Sequence, residues 1–456
     1  MCCEKYRIEK DSMGEVLVNK DKLWGAQTQR SLNNFKIGIE KIPKEVIKAL
    51  VCIKKSCAKA NFKLGKLDKE RCNMIVRCAE IAEHGDISKH FPLSVWQTGS
   101  GTQTNMNVNE VIANLCNKEN CDSIHPNDHV NMSQSSNDVF PSAMKISALV
   151  AIESYLIPAA QKLIDTLKRL ESENKDIVKV GRTHLQDAVP IGFSQEISGW
   201  RVMVEKPCEY ILKNLDLLRE VALGATAVGT GLNCPKNFDK TVCEILSENL
   251  STKIVPAQNK FHALTSMDTF VNIHGALKSL AANLMKIAND IRLLASGPRC
   301  GIGEITIPQN EPGSSIMPGK VNPTQCEAVT MISVQVISND VAVGMAASQG
   351  NFELNVFMPV CIYNFMQSVR LLTDGIVSFE KNCASGIKPV KEKMEYNLNR
   401  SLMNVTAFNS VIGYDKSAKI AQTAYLDNIS LKQAALKLGF LNESDIDDIL
   451  NPYKMI

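Results

Sequence analysis

The sequence has few aromatic residues and almost no net charge. Aromatic side chains make up 5% of its 456 residues, and 51 basic against 48 acidic residues leave a formal charge of +3. Proteins that bind nucleic acids or anionic membranes use basic surfaces, and base stacking also needs aromatic side chains. Neither nucleic acid nor a membrane is therefore an expected partner.

The sequence also lacks the spacings that are typical of metal sites. Its fifteen cysteines include no CxxC pair, and its seven histidines include no HExxH motif. We therefore expect no metal and no other cofactor. Most of the cysteines are expected to be buried as small apolar side chains.

Neither an export signal nor a membrane-spanning segment is predicted. The N-terminal stretch MCCEKYRIEKDSMGEVLV has no apolar core and carries acidic residues, unlike a signal peptide or a mitochondrial presequence. No run of about eighteen uninterrupted apolar residues occurs. The expected location is the cytoplasm, with a mitochondrial location after processing as the alternative.

Long helical patterns dominate the chain after about residue 135. Apolar residues recur there at three- and four-residue steps, with almost no internal proline. The pattern predicts a mainly α fold built on an elongated five-helix bundle. Because such broad apolar faces bury poorly inside one chain, we also expect assembly through the bundle. The five stretches are 143–175, 194–222, 262–296, 323–348 and 355–383.

Three domains are expected, because the length of the helical patterns changes twice along the chain. Residues 1–134 predict a mixed, mostly helical N-terminal domain, and residues 135–389 predict the long-helix bundle. Residues 390–456 predict a small C-terminal domain of three or four short helices. About 26 residues without periodicity, 297–322, join two of the long stretches, and so long a connection in a bundle suggests a function.

Four polar clusters lie near predicted helix starts, at residues 98–110, 125–143, 181–190 and 313–323. The third cluster is expected directly before a long helix. Uncharged donors beside a positive helix end suit a carboxylate. Ordinary helix capping, or a structural histidine in the third cluster, is the alternative for each cluster taken singly.

The fourth cluster, GSSIMPGKVNP, is not a phosphate-binding loop. A Walker A motif reads GxxxxGK[ST], whereas here five residues separate Gly313 from Gly319 and Val321 follows Lys320. Together the four clusters offer many neutral donors, one lysine and one histidine. That set suits a small dianionic carboxylate.

These segments resemble the class II fumarase family of the fumarase/aspartase superfamily. The resemblance is carried by GSSIMPGKVNPTQCE and, in the family's order, by segments that span essentially the whole chain. Those segments are KDSMGEVLVNKDKLWGAQTQRS, TGSGTQTNMNVNEV, SQSSNDVFPSAM, GRTHLQDA, EISGW, ALGATAVGTGLN, SGPRCGIGEI and SQGNFELNVF.

The resemblance implies a fold, an assembly and a reaction. The subunit would have three mainly helical domains, and its five central helices would build a twenty-helix core in a homotetramer. Each active site would be assembled from three subunits. The reaction implied is reversible hydration of fumarate to (S)-malate through an aci-carboxylate, and the small-molecule partner is this dicarboxylate pair.

The resemblance also implies the roles of individual residues. Ser314 would be the base and His184 the acid, with Glu327 orienting His184; the reverse division between Ser314 and His184 is the alternative. The substrate-binding residues implied are Ser100, Gly101, Thr102, Ser135, Ser136, Asn137, Thr183, Ser315, Lys320, Val321 and Asn322.

A second, peripheral dicarboxylate site of the family would consist of His125, Pro126, Asn127 and Asp128. The sequence departs from the family's pattern nearby. An arginine often precedes the histidine by three residues, where this chain has Asp122, and the following residues differ at His129 and Met132. Losing a cation and gaining a carboxylate weakens attraction for a dianion, so binding at this site is doubtful.

Two alternatives to a fumarate hydratase follow from the same residues. An aspartase-type ammonia lyase shares the motif but usually reads MPAKVNP, so Gly319 and the TQCE continuation favour fumarase. A non-catalytic structural protein that reuses the fold need not keep Ser314, His184 or Lys320, all of which are present.

Overall fold

The computed structural model describes residues 5–85, 88–119 and 124–456. Helices dominate, which confirms the predicted mainly α fold. The elements up to residue 130 are β1 Tyr6–Asp11, β2 Gly14–Asn19, α1 Ala26–Asn34, α2 Lys44–Lys63, α3 Lys69–His84, a 3-10 turn Ser88–His90, α4 Thr102–Glu119 and a π-helical turn Pro126–Val130.

The middle of the chain contains the long helices. Its elements are α5 Ser136–Ala151, a π-helical turn Ile152–Leu156, α6 Ile157–Glu173, β3 Val178–Thr183, β4 Gln186–Gly192, α7 Phe193–Asn214, α8 Asp216–Arg219, β5 Glu220–Val221, α9 Phe238–Leu250, β6 Val255–Pro256, α10 Lys260–Thr265, α11 Asp268–Leu294, β7 Ile305–Thr306, α12 Thr324–Ala347 and α13 Met358–Asn382.

The C-terminal part consists of short helices, five α-helices where three or four were predicted. After a 3-10 turn at Ala384–Gly386 come β8 Lys388–Pro389, α14 Lys391–Arg400, a 3-10 stretch Leu402–Phe408, α15 Asn409–Ile412, α16 Tyr414–Leu426, α17 Leu431–Leu438, α18 Glu443–Ile449 and a final 3-10 turn Pro452–Lys454.

The five predicted long stretches match helices, with two differences. The stretch 194–222 ends as a regular helix at Asn214, and residues 215–222 form a short turn of helix and a two-residue strand. The stretch 262–296 is interrupted at Ser266, which is extended and whose hydroxyl accepts a hydrogen bond from the Asp268 amide. Ser266 is thus the C-cap of α10, and α11 begins two residues later at Asp268.

The described chain divides into two compact units. The first contains the residues up to Pro158, Pro207–Ala281 and Val334–Thr373. Within it α2 packs against α3, α5 and α9. Apolar side chains on several faces of α2, such as Leu50, Val51 and Ile53, are fully buried, so this helix is the core of the unit.

The second unit contains Ala159–Lys206, Ala282–Ser333 and Asp374–Ile456. The antiparallel hairpin β3–β4 lies in this unit, and α14 packs against β3. The C-terminal helices enclose a small core of their own, in which Phe408 and Ile446 are fully buried. The division of the chain into three domains remains a prediction.

Most of the cysteines are buried, as predicted. Ten of the twelve described cysteines are buried, whereas Cys234 is half-buried and Cys300 is exposed. Cys2, Cys3 and Cys121 lie outside the described residues.

In the part of the chain that the structure describes, two helices are long and apolar enough to cross a membrane, judged by length and composition alone. They are the continuous helix Ser136–Glu173 and α12. The core helices of bundle proteins meet the same criteria. In the most apolar window, 67% of the residues are buried in Ser136–Glu173 but only 28% in α12, so one chain leaves much apolar surface of α12 uncovered.

Candidate active site

The first two polar clusters meet in a chain of hydroxyl groups in the first unit. The Ser100 and Thr102 hydroxyls lie 2.8 Å apart, and Thr102 Oγ1 lies 2.8 Å from Ser136 Oγ. Thr102 begins α4 and Ser136 begins α5, so the positive ends of two helices converge here. The arrangement offers hydroxyl donors and helix dipoles to one anion.

Helix capping and anion binding are compatible in the second cluster. Ser135 caps α5, since its hydroxyl accepts from the Asn137 amide at 3.2 Å and the Asp138 carboxylate accepts from the Ser135 amide at 2.9 Å. The capping alternative is therefore present. It leaves the Ser136 hydroxyl at the helix start beside Thr102.

Asp138 ties this helix start to a glycine-rich loop. Its Oδ2 accepts from the backbone amides of Gly224 at 3.1 Å and Thr226 at 2.9 Å, while Asn137 Nδ2 donates to the Ala227 carbonyl at 2.9 Å. Asp138 is fully buried, and this burial raises its pKa to about 6 despite the three amide donors. No site residue was predicted in this loop, although ALGATAVGTGLN carried part of the resemblance.

Gly101 allows the close approach of α4 and α5. Its φ of 71° lies in the left-handed region. A Cβ atom at this position would lie 2.4 Å from the ring of Phe140. Only glycine satisfies both conditions without a rearrangement.

We expect Gly101→Ala to lower the free energy of unfolding by about 3 kcal/mol, from backbone strain plus overpacking. Gly65→Ala is the matched control, because Gly65 has a φ of 69° but nothing near its Cβ position. Strain alone should cost the control about 1 kcal/mol. Chemical unfolding monitored by circular dichroism measures both, and equal losses in the two variants would contradict the packing argument.

The third cluster lies on a hairpin and not at a helix start, so that prediction is wrong. Thr183 ends β3 and pairs with Gln186 of β4, and α7 begins only at Phe193. His184 and Leu185 form the two-residue turn, with φ of 56° and 60°. Two left-handed residues in succession define the turn that matches the twist of a hairpin. Glycine, asparagine or aspartate usually occupies such positions, so His184 is held under backbone strain.

The buried carboxylate of Glu304 holds this hairpin through Arg182. Arg182, next to Thr183, donates two hydrogen bonds to Glu304, at 2.9 and 2.6 Å. Glu304 is fully buried, and it also receives Asn397 Nδ2 at 2.9 Å and lies 3.3 Å from the Lys179 ammonium group. Burial alone would raise the pKa of Glu304, but the hydrogen bonds from Arg182 and the charge of Lys179 hold it below its ordinary value.

The fourth cluster is a closed loop before α12. The Gly313 amide donates to the Lys320 carbonyl at 2.9 Å, and Asn322 Nδ2 donates to the Gly313 carbonyl at 2.8 Å. A Cβ on Gly313 would lie 2.8 Å from that Lys320 oxygen. The loop therefore closes on a glycine, and Lys320 and Asn322 lie just before α12.

Ser314 accepts two backbone hydrogen bonds within this loop. The amides of Ile316 and Met317 donate to Ser314 Oγ at 3.2 and 3.0 Å. Ser314 is half-buried, and Ser315 and Lys320 are exposed. Two donors aimed at one hydroxyl oxygen stabilise negative charge on it.

His184 and Glu327 are both exposed, and within the described part of the chain no hydrogen bond or ion pair joins them. Glu327 lies in the first turn of α12. Val321 and Asn322 are half-buried before it. The predicted carboxylate–histidine pair is thus not formed inside one chain and remains a prediction.

The peripheral segment His125–Asp128 forms a turn whose polar groups hydrogen-bond within the turn itself. His125 caps the π-helical turn, accepting from the Asp128 amide at 3.2 Å, and the His125 amide donates to His129 Nδ1 at 2.8 Å. Asp128 Oδ2 lies 3.1 Å from His125 Nδ1. Asp122, the departure from the family's pattern, lies outside the described residues. No group of three or more His, Cys, Asp or Glu side chains suited to a metal occurs in residues 5–85, 88–119 and 124–456.

The structure is mainly helical, with hydroxyl and amide side chains at its helix starts, and the family comparison places the chain among the lyases. The family described as Lyase matches residues 14–338, and the family described as Fumarase C C-terminus matches residues 405–456. The chain belongs to the class II fumarate hydratase family.

Its relatives match it over nearly the full length. The chain is 57% identical to a class II fumarate hydratase of Helicobacter pylori and 56% identical to that of Bacillus subtilis, each over 99% of both chains. The crystal structure of a class II fumarase from Schistosoma mansoni superposes with a TM-score of 0.96 at 40% identity, covering 99% of both chains.

Proposed function

We propose that this protein catalyses the reversible hydration of fumarate to (S)-malate by acid/base chemistry. The full-length likeness to proteins named fumarate hydratase class II supports the reaction. The observation that carries the mechanism is the pair of backbone amides on Ser314 Oγ. Fumarate forms as malate loses water, and its ultraviolet absorbance tests the activity.

Ser314 is the base in the direction of malate dehydration. It removes a proton from C3, which is only weakly acidic, and the electron pair passes into the adjacent carboxylate as an aci-carboxylate. A serine oxygen does this only as an alkoxide, which needs donors and a cation nearby. The Ile316 and Met317 amides are such donors, and Lys320 in the same loop supplies the cation.

His184 is the acid that protonates the departing hydroxide, directly or through a water, as the C2–O bond breaks. Glu327 orients the imidazole and stabilises its charged form. In hydration the same steps run in reverse. The opposite division of roles between Ser314 and His184 predicts the same residues but exchanges which of them must be deprotonated.

The remaining site residues bind the two carboxylates and the hydroxyl. Lys320 is the charged ligand. Neutral donors bind the remaining substrate oxygens, so that negative charge can grow on one carboxylate without bulk water. The neutral group consists of Ser100, Gly101, Thr102, Ser135, Ser136, Asn137, Thr183, Ser315, Val321 and Asn322.

The peripheral segment is proposed to bind a dicarboxylate weakly at most. The Asp128 carboxylate lies 3.1 Å from His125 Nδ1, so a dianion would meet a negative charge there.

We further propose that the active protein is a homotetramer whose active sites each combine residues of three chains. The support is the apolar surface of α12. Val334, Val341 and Met345 are each more than half exposed, and Ile337 between them is 36% exposed. These residues follow one another at three- and four-residue steps, as in a helix–helix seam, and a bundle of copies would cover them. The three domains 1–134, 135–389 and 390–456 and a cytoplasmic location complete the proposal.

We expect Val341→Glu to disrupt the assembly, because a carboxylate would be buried in the apolar seam. Light scattering should give the wild type about 200 kDa, four times the 50.2 kDa chain, and the variant a smaller mass. Its hydratase activity should fall with the tetramer fraction. Val411→Glu, at a valine that is 56% exposed in the C-terminal helices, is the matched control. A tetrameric Val341→Glu variant with full activity would refute the role of this seam.

A further inference from the structure

Lys54 is a fully buried lysine at the centre of the first unit. It lies on α2 with no exposed surface. Its ammonium group donates to Asn131 Oδ1 at 2.8 Å and to Gln134 Oε1 at 2.9 Å. Among the described residues no carboxylate forms an ion pair with it. A buried ammonium held only by neutral oxygens is rare, because burying a charge costs free energy unless something uses that charge.

Lys54 binds the segment Asn131–Gln134, which directly precedes the proposed carboxylate-binding residues Ser135, Ser136 and Asn137. Gln134 precedes Ser135, the cap of α5. Asn131 Oδ1, besides accepting from Lys54, accepts from Asn105 Nδ2 and Asn109 Nδ2 of α4, each at 3.1 Å. One oxygen thus joins α2, α4 and the segment before the turn.

The rest of the segment is fixed in the same way. Asn61 of α2 donates to the Met132 carbonyl at 3.0 Å and accepts from the Ser133 hydroxyl at 2.8 Å. Ser133 has a φ of 63°, so these contacts hold a left-handed residue. The path from Asn131 to Ser135 therefore depends on side chains of α2 and α4.

We propose that Lys54 is a positioning residue of the dicarboxylate site, whose buried positive charge both fixes the Asn131–Gln134 segment and attracts the dianion held at Ser135, Ser136 and Asn137. The proposal rests on the function proposed above. It distinguishes Lys54 from its neighbour Lys55, which pairs with Glu83 at 2.8 Å and, among the described residues, forms no hydrogen bond or ion pair with this segment.

The charge of Lys54 changes near neutral pH. Burial lowers its pKa to about 7, against a smaller opposing effect of the Asp138 carboxylate on α5. The Cys57 thiol stays neutral, because burial raises its pKa well above the ordinary value. Asp138, with a pKa of about 6, is ionised above that pH. As the pH rises through about 7, Lys54 loses its proton and the site loses a positive charge.

The experiment compares Lys54→Met with the wild type in the full chain. Calorimetry gives the dissociation constant of succinate, a dianion without the reacting bond, and malate dehydration gives KM and kcat. At about pH 6.5 we expect the variant to bind succinate at least about tenfold more weakly and to raise KM similarly, with kcat changed less than about threefold. At about pH 9 the ratio of dissociation constants should fall to about three or less, because Lys54 is neutral in the wild type too.

Two further variants separate charge from structure. Lys54→Gln keeps a donor but no charge, and it should show the same pH-dependent loss as Lys54→Met. Lys55→Met removes a lysine from the same helix, and it should bind succinate within about twofold of the wild type at each pH. If Lys54→Met does not fold, the Lys54→Gln comparison decides.

The outcomes separate this inference from the proposed function. A wild type that dehydrates malate, with a ratio of dissociation constants that does not change with pH, overturns the role of the Lys54 charge alone. A wild type that binds succinate with the expected ratio but forms no fumarate supports Lys54 and overturns the hydratase proposal. Wild-type protein that neither binds succinate nor dehydrates malate overturns both.

Discussion

Replacing Ser314 with alanine is expected to lower the turnover of malate and fumarate about a thousandfold. The proton at C3 is weakly acidic, and a general base contributes a factor of about a hundred to ten thousand. Among the described side chains of this loop, only Ser314 has an oxygen that accepts hydrogen bonds from two backbone amides. The donors are the amides of Ile316 and Met317. Steady-state kinetics by fumarate absorbance measures the loss, and KM should change little because Lys320 and Asn322 remain.

The alanine variant should keep its fold. The loop is closed by the Gly313, Lys320 and Asn322 contacts, none of which involves the Ser314 hydroxyl. Ser385→Ala removes a serine hydroxyl whose one hydrogen bond among the described residues goes to the Lys381 carbonyl; this variant is the control and should be fully active. A folded Ser314→Ala variant with near-wild-type turnover would remove Ser314 from the role of base.

Replacing His184 with asparagine is expected to lower turnover about a hundredfold to a thousandfold. Hydroxide leaves poorly unless it is protonated, and asparagine cannot supply a proton. Asparagine is the substitution to use, because it tolerates the left-handed backbone that His184 adopts at a φ of 56°. Loss of activity will then report on the imidazole and not on a distorted hairpin.

The neighbouring turn residue provides the control for this variant. Leu185 has a φ of 60°, and its side chain is 72% exposed. Leu185→Asn also introduces an asparagine into this turn, but it removes no acid, so it should retain activity. Comparable losses in both variants would show that the turn, and not the imidazole of His184, limits the rate.

The helices could be predicted from the sequence because their apolar residues repeat over many turns. The repeat over 355–383 needs no knowledge of neighbours, and α13 runs from Met358 to Asn382. The polar clusters at the starts of α4 and α5 were predictable for a similar reason, since hydroxyls and amides before an apolar repeat indicate a helix start.

The hairpin that presents His184 could not be predicted in this way. Two-residue hairpins are usually indicated by glycine, asparagine or aspartate, and this turn has His184 and Leu185. Its support from Glu304 comes from more than a hundred residues further along the chain, in a contact that no local pattern encodes. Local preference and observed structure disagree here, as they often do where a site imposes its own geometry.

Lys54 shows a different limit of sequence reasoning. In the stretch IKKSCAKANFK it is one of several lysines, and periodicity does not tell which of them is buried. Its environment is made by Asn131 and Gln134, which lie far away in the sequence. The Glu327–His184 pair stays a prediction, because no hydrogen bond or ion pair joins these residues in the described part of one chain.

The reaction itself is tested most directly by supplying malate and aspartate separately to the purified protein and following the ultraviolet absorbance of fumarate. We predict that fumarate forms from malate until equilibrium is reached, and that none forms from aspartate. Formation from aspartate alone would make the protein an ammonia lyase. Formation from neither substrate would contradict an enzymatic role for the site and leave the fold as a scaffold.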